Sequence, residues 1–183
     1  AYLQSKDSSF QLVKTVIDAA IQQGIYVIVD WHSHNIQTKE AKEFFTRIAN
    51  TYKSYPNIIY EIFNEPDYET WPEVKAYSEE IIKAIRAIDA SNIILVGTPH
   101  WDQHLHLAAA DPIKGFKNIM YTMHFYAGTH KKDLRDKTDE AIEKGLPVFV
   151  SESGGMAATG DGPVDKTEWE AYINWMKARK LSW

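Results

Sequence analysis

Two glutamates, Glu65 and Glu152, stand where apolar stretches give way to loop-like sequence. Glu65 closes Ile58-Ile59-Tyr60-Glu61-Ile62-Phe63-Asn64-Glu65, and Pro66 then stops the segment, because proline has no N–H for a strand ladder. Glu152 closes Pro147-Val148-Phe149-Val150-Ser151-Glu152. Apolar strand neighbours raise a carboxyl pKa by desolvation. Glu65 is therefore expected to hold its proton as a general acid, with the Asn64 amide beside it for a polar, uncharged substrate. Two carboxylates facing each other over a cleft suit glycoside cleavage: about 5 Å apart for retention, roughly 6.5–9.5 Å for inversion.

Other strand ends are also polar. Asp30-Trp31-His32-Ser33-His34 follows Ile25-Tyr26-Val27-Ile28-Val29, and His100-Trp101 follows Ile93-Ile94-Leu95-Val96. His124 and Tyr126 end Ile119-Met120-Tyr121-Thr122-Met123-His124-Phe125-Tyr126. His32-x-His34 is also how metal-dependent barrel hydrolases open their sites. Such a site needs further His, Lys and Asp ligands on later strands, and here those strands carry Asn-Glu and Glu, so no metal is expected. His104 and His106, two apart on an expected helix, do not share a face and read as a solvated surface pair.

The elements that position these groups alternate. Phe10, Val13, Ile17, Ala20 and Ile21 recur at helical spacing before Gly24, a C-terminal stop. Thr38 is placed to cap a helix with Ala41, Phe44, Phe45, Ile48 and Tyr52 on one stripe. Thr70-Trp71-Pro72-Glu73 reads as a capping box for a helix carrying Val74, Tyr77, Ile81, Ile85 and Ile88. A short helix is expected near His104 to Ala110, another over Asp133 to Lys144, and a last one capped by Asp165 with Glu168. Leu181-Ser182-Trp183 could open a further strand. About 30 residues separate one strand from the next, the size of a βαβ unit. The strands are continuously apolar, as in a parallel sheet covered on both faces. No strand is followed by G-x-G-x-x-G, which disfavours a doubly wound nucleotide-binding sheet, whereas polar groups at every strand's C-terminal end suit a β/α barrel.

The 183 residues suffice for one domain with a real core, and 44% hydrophobic with 25% charged residues excludes a disordered chain. A net charge of −5 without a basic cluster argues against nucleic acid, and no apolar run reaches membrane-spanning length. Six Trp and ten Tyr usually mean core, but a surplus of them also suits stacking on flat apolar faces such as sugar rings. Ala1 to Phe10 carry no signal-peptide core.

Asp30-Trp31-His32, Tyr60-Glu61-Ile62-Phe63-Asn64-Glu65-Pro66, Met123-His124-Phe125-Tyr126-Ala127-Gly128-Thr129-His130 and Val148-Phe149-Val150-Ser151-Glu152 look like the motifs of glycoside hydrolase family 5. They most resemble those of its bacterial endo-β-1,4-glucanases, from about Ser9 to Trp183. The resemblance implies an α/β fold of the (β/α)8 TIM-barrel type, in one catalytic domain over residues 1–183. It implies a retaining glycosidase without a cofactor, acting on cellulose or soluble β-glucan outside the cell. A β-mannanase or mixed-linkage glucanase would use the same carboxylates, and an inactive barrel fragment that only binds sugar is the rival from another class. Glu65 would be the acid/base and Glu152 the nucleophile. Asn64 would bind the 2-hydroxyl of the sugar beside the cleaved bond, His32 and His124 would line the site, and Tyr126 would hydrogen-bond the nucleophile. Trp101 resembles a sugar-stacking platform, with plain packing as its alternative. In the family an aromatic residue usually follows the nucleophile, and here it is Ser153. The family's carboxylates end its fourth and seventh strands, whereas here they end the second and fifth. The barrel is therefore expected to be incomplete, with about five strands. The family's active-site arginine and eighth-strand tryptophan have no counterparts. Strands left unpaired at both edges would favour self-association.

Overall fold

A computed structural model describes residues 2–183. Five strands alternate with helices: α1 (Lys6–Gln23), β1 (Val27–Asp30), α2 (Thr38–Tyr52), β2 (Ile58–Glu61), α3 (Trp71–Arg86), β3 (Ile93–Val96), the single turn α4 (Pro99–Asp102), α5 (Leu105–Ala110), β4 (Ile119–Tyr126), α6 (Lys132–Glu143), β5 (Val148–Gly154) and α7 (Lys166–Arg179). All neighbouring strands pair in parallel, in the order β1-β2-β3-β4-β5. That order never reverses, so there is no switch point of the doubly wound kind. The sheet is a sector of a β/α barrel.

Most expected elements are present, and their ends differ for local reasons. Gly24 ends α1 in the left-handed conformation at φ 68°, and the Ile25 N–H donates back to the Ala20 carbonyl at 3.1 Å. Ile25 thus finishes the helix cap, and β1 begins at Val27 rather than at Ile25. Thr38 is the first residue of α2 and not its cap; Gln37 precedes the helix, with no side-chain cap. At α3 the Glu73 carboxylate accepts from both the Thr70 N–H (2.8 Å) and the Thr70 hydroxyl (2.7 Å), as expected of the capping motif. Asp165 caps α7 by accepting the Glu168 N–H at 3.1 Å.

The expected strand over Ile58–Asn64 stops at Glu61. The Ile62 N–H still donates to Leu95 O at 3.1 Å, but the Ile62 carbonyl turns to accept the Tyr77 hydroxyl at 2.7 Å. Beyond the strand, the Asn64 and Glu65 N–H groups still donate to the neighbouring loop, to Trp31 O (3.1 Å) and Ser33 O (3.4 Å). The outer edge of β5 is not bare either. Ser182 bridges Phe149 in parallel, and the Val150 N–H donates to Ser182 O at 3.0 Å. β1 pairs on one side only among the described residues, beside the exposed Leu12, Val16, Ile25 and Tyr26.

The core lies between sheet and helices. Phe45, Ile48, Tyr60, Ile81, Ile85 and Phe125 are fully buried, and Phe125 stacks on Tyr172 with centroids 3.7 Å apart. The Tyr60 hydroxyl donates to Asp89 at 2.7 Å, so its polar tip is satisfied inside.

Gly97, after β3, packs where a side chain has no room: a Cβ there would lie 2.5 Å from the Phe63 carbonyl oxygen and 3.2 Å from Asp102 Oδ1. Backbone cannot yield as a flexible side chain does. Gly97→Ala is expected to destabilise the fold by about 1–3 kcal/mol and to lower Tm by about 2–10 °C. Thermal melts of the two proteins check this, and an unchanged Tm contradicts the close packing.

Candidate active site

The C-terminal ends of the strands converge on a cleft of about 550 Å³ whose lining includes Glu65, Trp101, His124, Tyr126, His130 and Glu152. A β-bulge sets its far wall. Thr122 pairs with Phe149, but His124 pairs with Glu152, so β5 carries one extra residue between these pairs. The extra residue re-aims the strand. Ser151 and Glu152 both reach the cleft side as a result, where strict alternation would send one of them away.

The two glutamates stand close. One carboxylate oxygen of Glu65, one of Glu152 and one ring nitrogen of His124 all lie within 4.8 Å of one another. The Tyr126 hydroxyl donates to Glu152 Oε1 at 2.6 Å. That bond to a carboxylate pushes the phenol up to about 12, with burial adding to the shift.

His124 is the centre of this arrangement. Its ring is 2% exposed. Nδ1 lies 3.0 Å from Glu65 Oε1, and Nε2 lies 2.9 Å from Ser151 Oγ, 3.4 Å from Asp102 Oδ2 and 3.6 Å from Glu61 Oε1. The Ser151 hydroxyl donates its one proton to Glu61. It must therefore accept from His124, which fixes a proton on Nε2. Burial opposes charge on the imidazole, but Asp102, Glu61 and Glu65 outweigh it and push His124 up to about 11.

The same pairing reverses the expectation for Glu65. Burial alone would raise its carboxyl, yet the hydrogen bond and charge of His124 hold it below the ordinary glutamate range. The apolar strand supplies the desolvation foreseen from sequence; the histidine that overrides it comes from a strand more than fifty residues away.

Below the cleft lie further acids: Asp30, foreseen as a polar strand end, and Glu61 and Asp102, to which the sequence assigned no role. Asp30 and Glu61 are cross-strand partners on β1 and β2. Burial, then the Glu61 charge, raises Asp30 to about 7 against the pull of His32. Asp102 is fully buried, and burial drives its carboxyl well above the usual range while the charge of His124 pulls the other way. The sequence signal available for this layer was an acid at or near the end of each of two neighbouring apolar strands, Asp30 and Glu61.

The other expected site residues divide. Asn64 is 2% exposed, and its Nδ2 has no hydrogen-bond partner among the described residues. Trp101 stands in the cleft wall, 36% exposed. It is held in a left-handed turn with His100 (φ 61°) and Asp102 (φ 61°) on either side and φ 54° at Trp101 itself. Each such residue costs about 1–2 kcal/mol. The Trp101 N–H donates to Pro66 O at 2.9 Å and the Asp102 N–H to Thr98 O at 3.1 Å, which fixes the turn. His32 does not line this cleft. It is exposed, pairs with Asp30 Oδ2 at 2.7 Å, and borders a separate cavity with Tyr2, Leu3 and Gln37. His34 is the histidine of that pair that reaches Glu65, 3.1 Å from its carbonyl oxygen and 3.8 Å from Oε2.

His104 and His106 do meet, with ring centroids 5.1 Å apart, and His104 also stacks on His100 at 4.6 Å. His104 precedes α5 with non-helical φ and ψ, so helical face spacing does not govern it. Both rings are half-buried rather than solvated. Burial, then the neighbouring His100, His106 and Lys137, pushes His104 down to about 4.

The C-terminal face of this parallel β/α-barrel sector thus carries two neighbouring carboxylates, a tyrosine bonded to one of them and a buried imidazole bonded to the other. The chain belongs to the cellulase family, glycosyl hydrolase family 5, whose family model matches residues 1–183. It is 45% identical over 184 residues to endoglucanase Z of Dickeya dadantii, covering 99% of this chain and 43% of that protein. It is 48% identical over 179 residues to endoglucanase A of Evansella cellulosilytica, covering 93% and 36%. The catalytic domain of a Thermobifida fusca endoglucanase, solved in complex with cellotetraose, superposes with a TM-score of 0.94 at 36% identity, covering all of this chain and 63% of that one. The chain thus spans less than half the length of these curated relatives.

Tyr126→Phe removes one hydrogen bond to a charged group, worth about 1.5–3 kcal/mol. If Glu152 attacks substrate, kcat is expected to fall by roughly 10–100-fold with KM little changed. Steady-state kinetics on a soluble β-glucan checks this, and an unaltered kcat contradicts a role for the bond.

Proposed function

We propose that the protein is a retaining endo-β-1,4-glucanase, with Glu152 as nucleophile and Glu65 as acid/base. The observation that carries this reading is the approach of the two carboxylates within 4.8 Å, the separation of the retaining class rather than the inverting one. The substrate reading rests on relatives named as endoglucanases and on the cellotetraose held by the Thermobifida fusca domain. Such a polymer does not enter a cell, which supports action outside it. No helix among the described residues is long and apolar enough to cross a membrane.

In this mechanism Glu152 attacks the anomeric carbon while the leaving oxygen takes a proton from Glu65. Because Nε2 of His124 keeps its own proton, Glu65 and Nδ1 share a single further one. At rest that proton sits on Nδ1, as the lowered Glu65 value requires. As negative charge grows on the leaving oxygen, the proton passes through Glu65 to it. Glu65, again an anion, then takes a proton from water as the water opens the glycosyl-enzyme, and that proton returns to Nδ1. Asn64, with its free amide hydrogens, serves the sugar 2-hydroxyl, and Trp101 offers a face for the next ring.

Role assignment is tested by azide rescue on an activated aryl β-cellobioside. Glu152→Ala is expected to regain turnover and yield the α-glycosyl azide, and Glu65→Ala to yield the β-azide. Swapped products would exchange the roles, and no azide product from either variant would sink the pairing. Carboxymethylcellulose is expected to be hydrolysed faster than galactomannan, and the opposite order would make the enzyme a mannanase.

The pH profile follows from the shared proton. Activity is expected to hold into alkaline pH, because the carboxylates around His124 raise it and keep the shared proton in place through neutrality. A profile of kcat/KM against pH that collapses by pH 7 would contradict the sharing.

A further inference from the structure

We infer that Asp102 is a positioning residue for the acid/base: its buried carboxylate holds the charge of His124 in place and so governs the proton that His124 shares with Glu65. The inference rests on the glycosidase reading for its kinetic consequence, and on geometry for the rest.

Asp102 Oδ1 accepts the Thr98 N–H at 2.5 Å, so the carboxylate cannot swing away. Oδ2 has no hydrogen-bond partner and faces His124 Nε2 at 3.4 Å. The side chain is fully buried. Nε2 already carries a proton directed at Ser151, so a proton on Oδ2 would meet another donor. An anionic Asp102 beside a cationic His124 satisfies the contact, the charge of His124 opposing the burial that raises the Asp102 carboxyl.

The groups that face His124 are Glu61 from β2, Glu65 from the loop after β2, Asp102 from α4, and Ser151 and Glu152 from β5; Asp30 of β1 lies within electrostatic range. Glu61 spends its contact on the Ser151 hydroxyl. Asp102 is the carboxylate with an oxygen left over for the imidazole. It sits there because the left-handed turn that presents Trp101 outward turns the next side chain inward.

Asp102→Asn keeps the acceptor for Thr98 and the shape of the turn but removes the charge. Loss of an opposite charge at this range moves a pKa by about 1–3 units. In the whole protein, the alkaline limb of kcat/KM is expected to move at least about one pH unit lower. The acid limb stays in place and KM stays within about twofold, because Trp101 is not displaced. A role confined to pinning the turn would instead raise KM and lower Tm without moving a limb. An unmoved alkaline limb in a folded variant overturns the inference.

A second measurement needs neither the variant nor turnover. In the unmodified protein with 15N-labelled histidine, both ring nitrogens of His124 are expected to be protonated at pH 7. A neutral ring there overturns the inference. An inactive protein whose His124 is doubly protonated would support the Asp102 pairing and count against the glycosidase reading alone.

Discussion

His124 is a buried cation, and the rest of the site is arranged around the cost of keeping it. Moving an isolated charge out of water costs several kcal/mol even after relaxation. Here three carboxylates meet one imidazole: Glu65 at Nδ1, Asp102 and Glu61 at Nε2. With more negative than positive groups, the surplus shows where it should. Asp30 and Asp102 have carboxyls raised by burial, whereas Glu65, in direct contact with the cation at the cleft wall, is lowered. The chemistry is thus placed at the one acid of the set that can both take a proton from the imidazole and reach a substrate.

That cluster exists only once the sheet has formed. Its members come from β1, β2, the turn after β3, β4 and β5, and no two neighbouring elements contain enough of it to satisfy the charge. The unreversed strand order brings these ends to one face. The β5 bulge then brings Ser151 and Glu152 to bear on His124 and the cleft together. Strained backbone at His100–Asp102 follows the same logic. The left-handed turn is costly in isolation and persists because the Trp101 and Asp102 N–H groups and the Asp102 carboxylate all have fixed partners.

Much of the fold was legible because it is written in periodicity: the helical stripes, Gly24, Thr70 with Glu73, and Asp165 with Glu168 all act over a few residues. Glu65, Glu152, His124 and Tyr126 were legible for a related reason, since each lies at or just beyond a strand's C-terminal end. The choice of a barrel over a doubly wound sheet was legible in the polar residues at every strand's C-terminal end and the missing G-x-G-x-x-G, and the unreversed strand order agrees with it. The lowered Glu65, and its contact with His34 rather than His32, depended on where separate strands and their loops place their side chains. Asp102 was hidden for a further reason: three consecutive left-handed residues without glycine are too unusual for any propensity argument to suggest. The meeting of His104 and His106 escaped because a helical rule was applied one residue before the helix begins.

A site built this way trades stability for function. Asp30 and Asp102 are acids that burial would rather protonate, and an apolar residue at either place would remove that cost. They are tolerable because His124 takes part of their charge, and His124 is tolerable because they are there. The dependence runs both ways, so no member can be exchanged for a neutral isostere without shifting the protonation of the others. Glu65 stands at the solvent end of this chain of contacts and inherits its proton affinity from residues that never touch the sugar. The same carboxylate on the same apolar strand, without the layer beneath it, would be an ordinary raised glutamate.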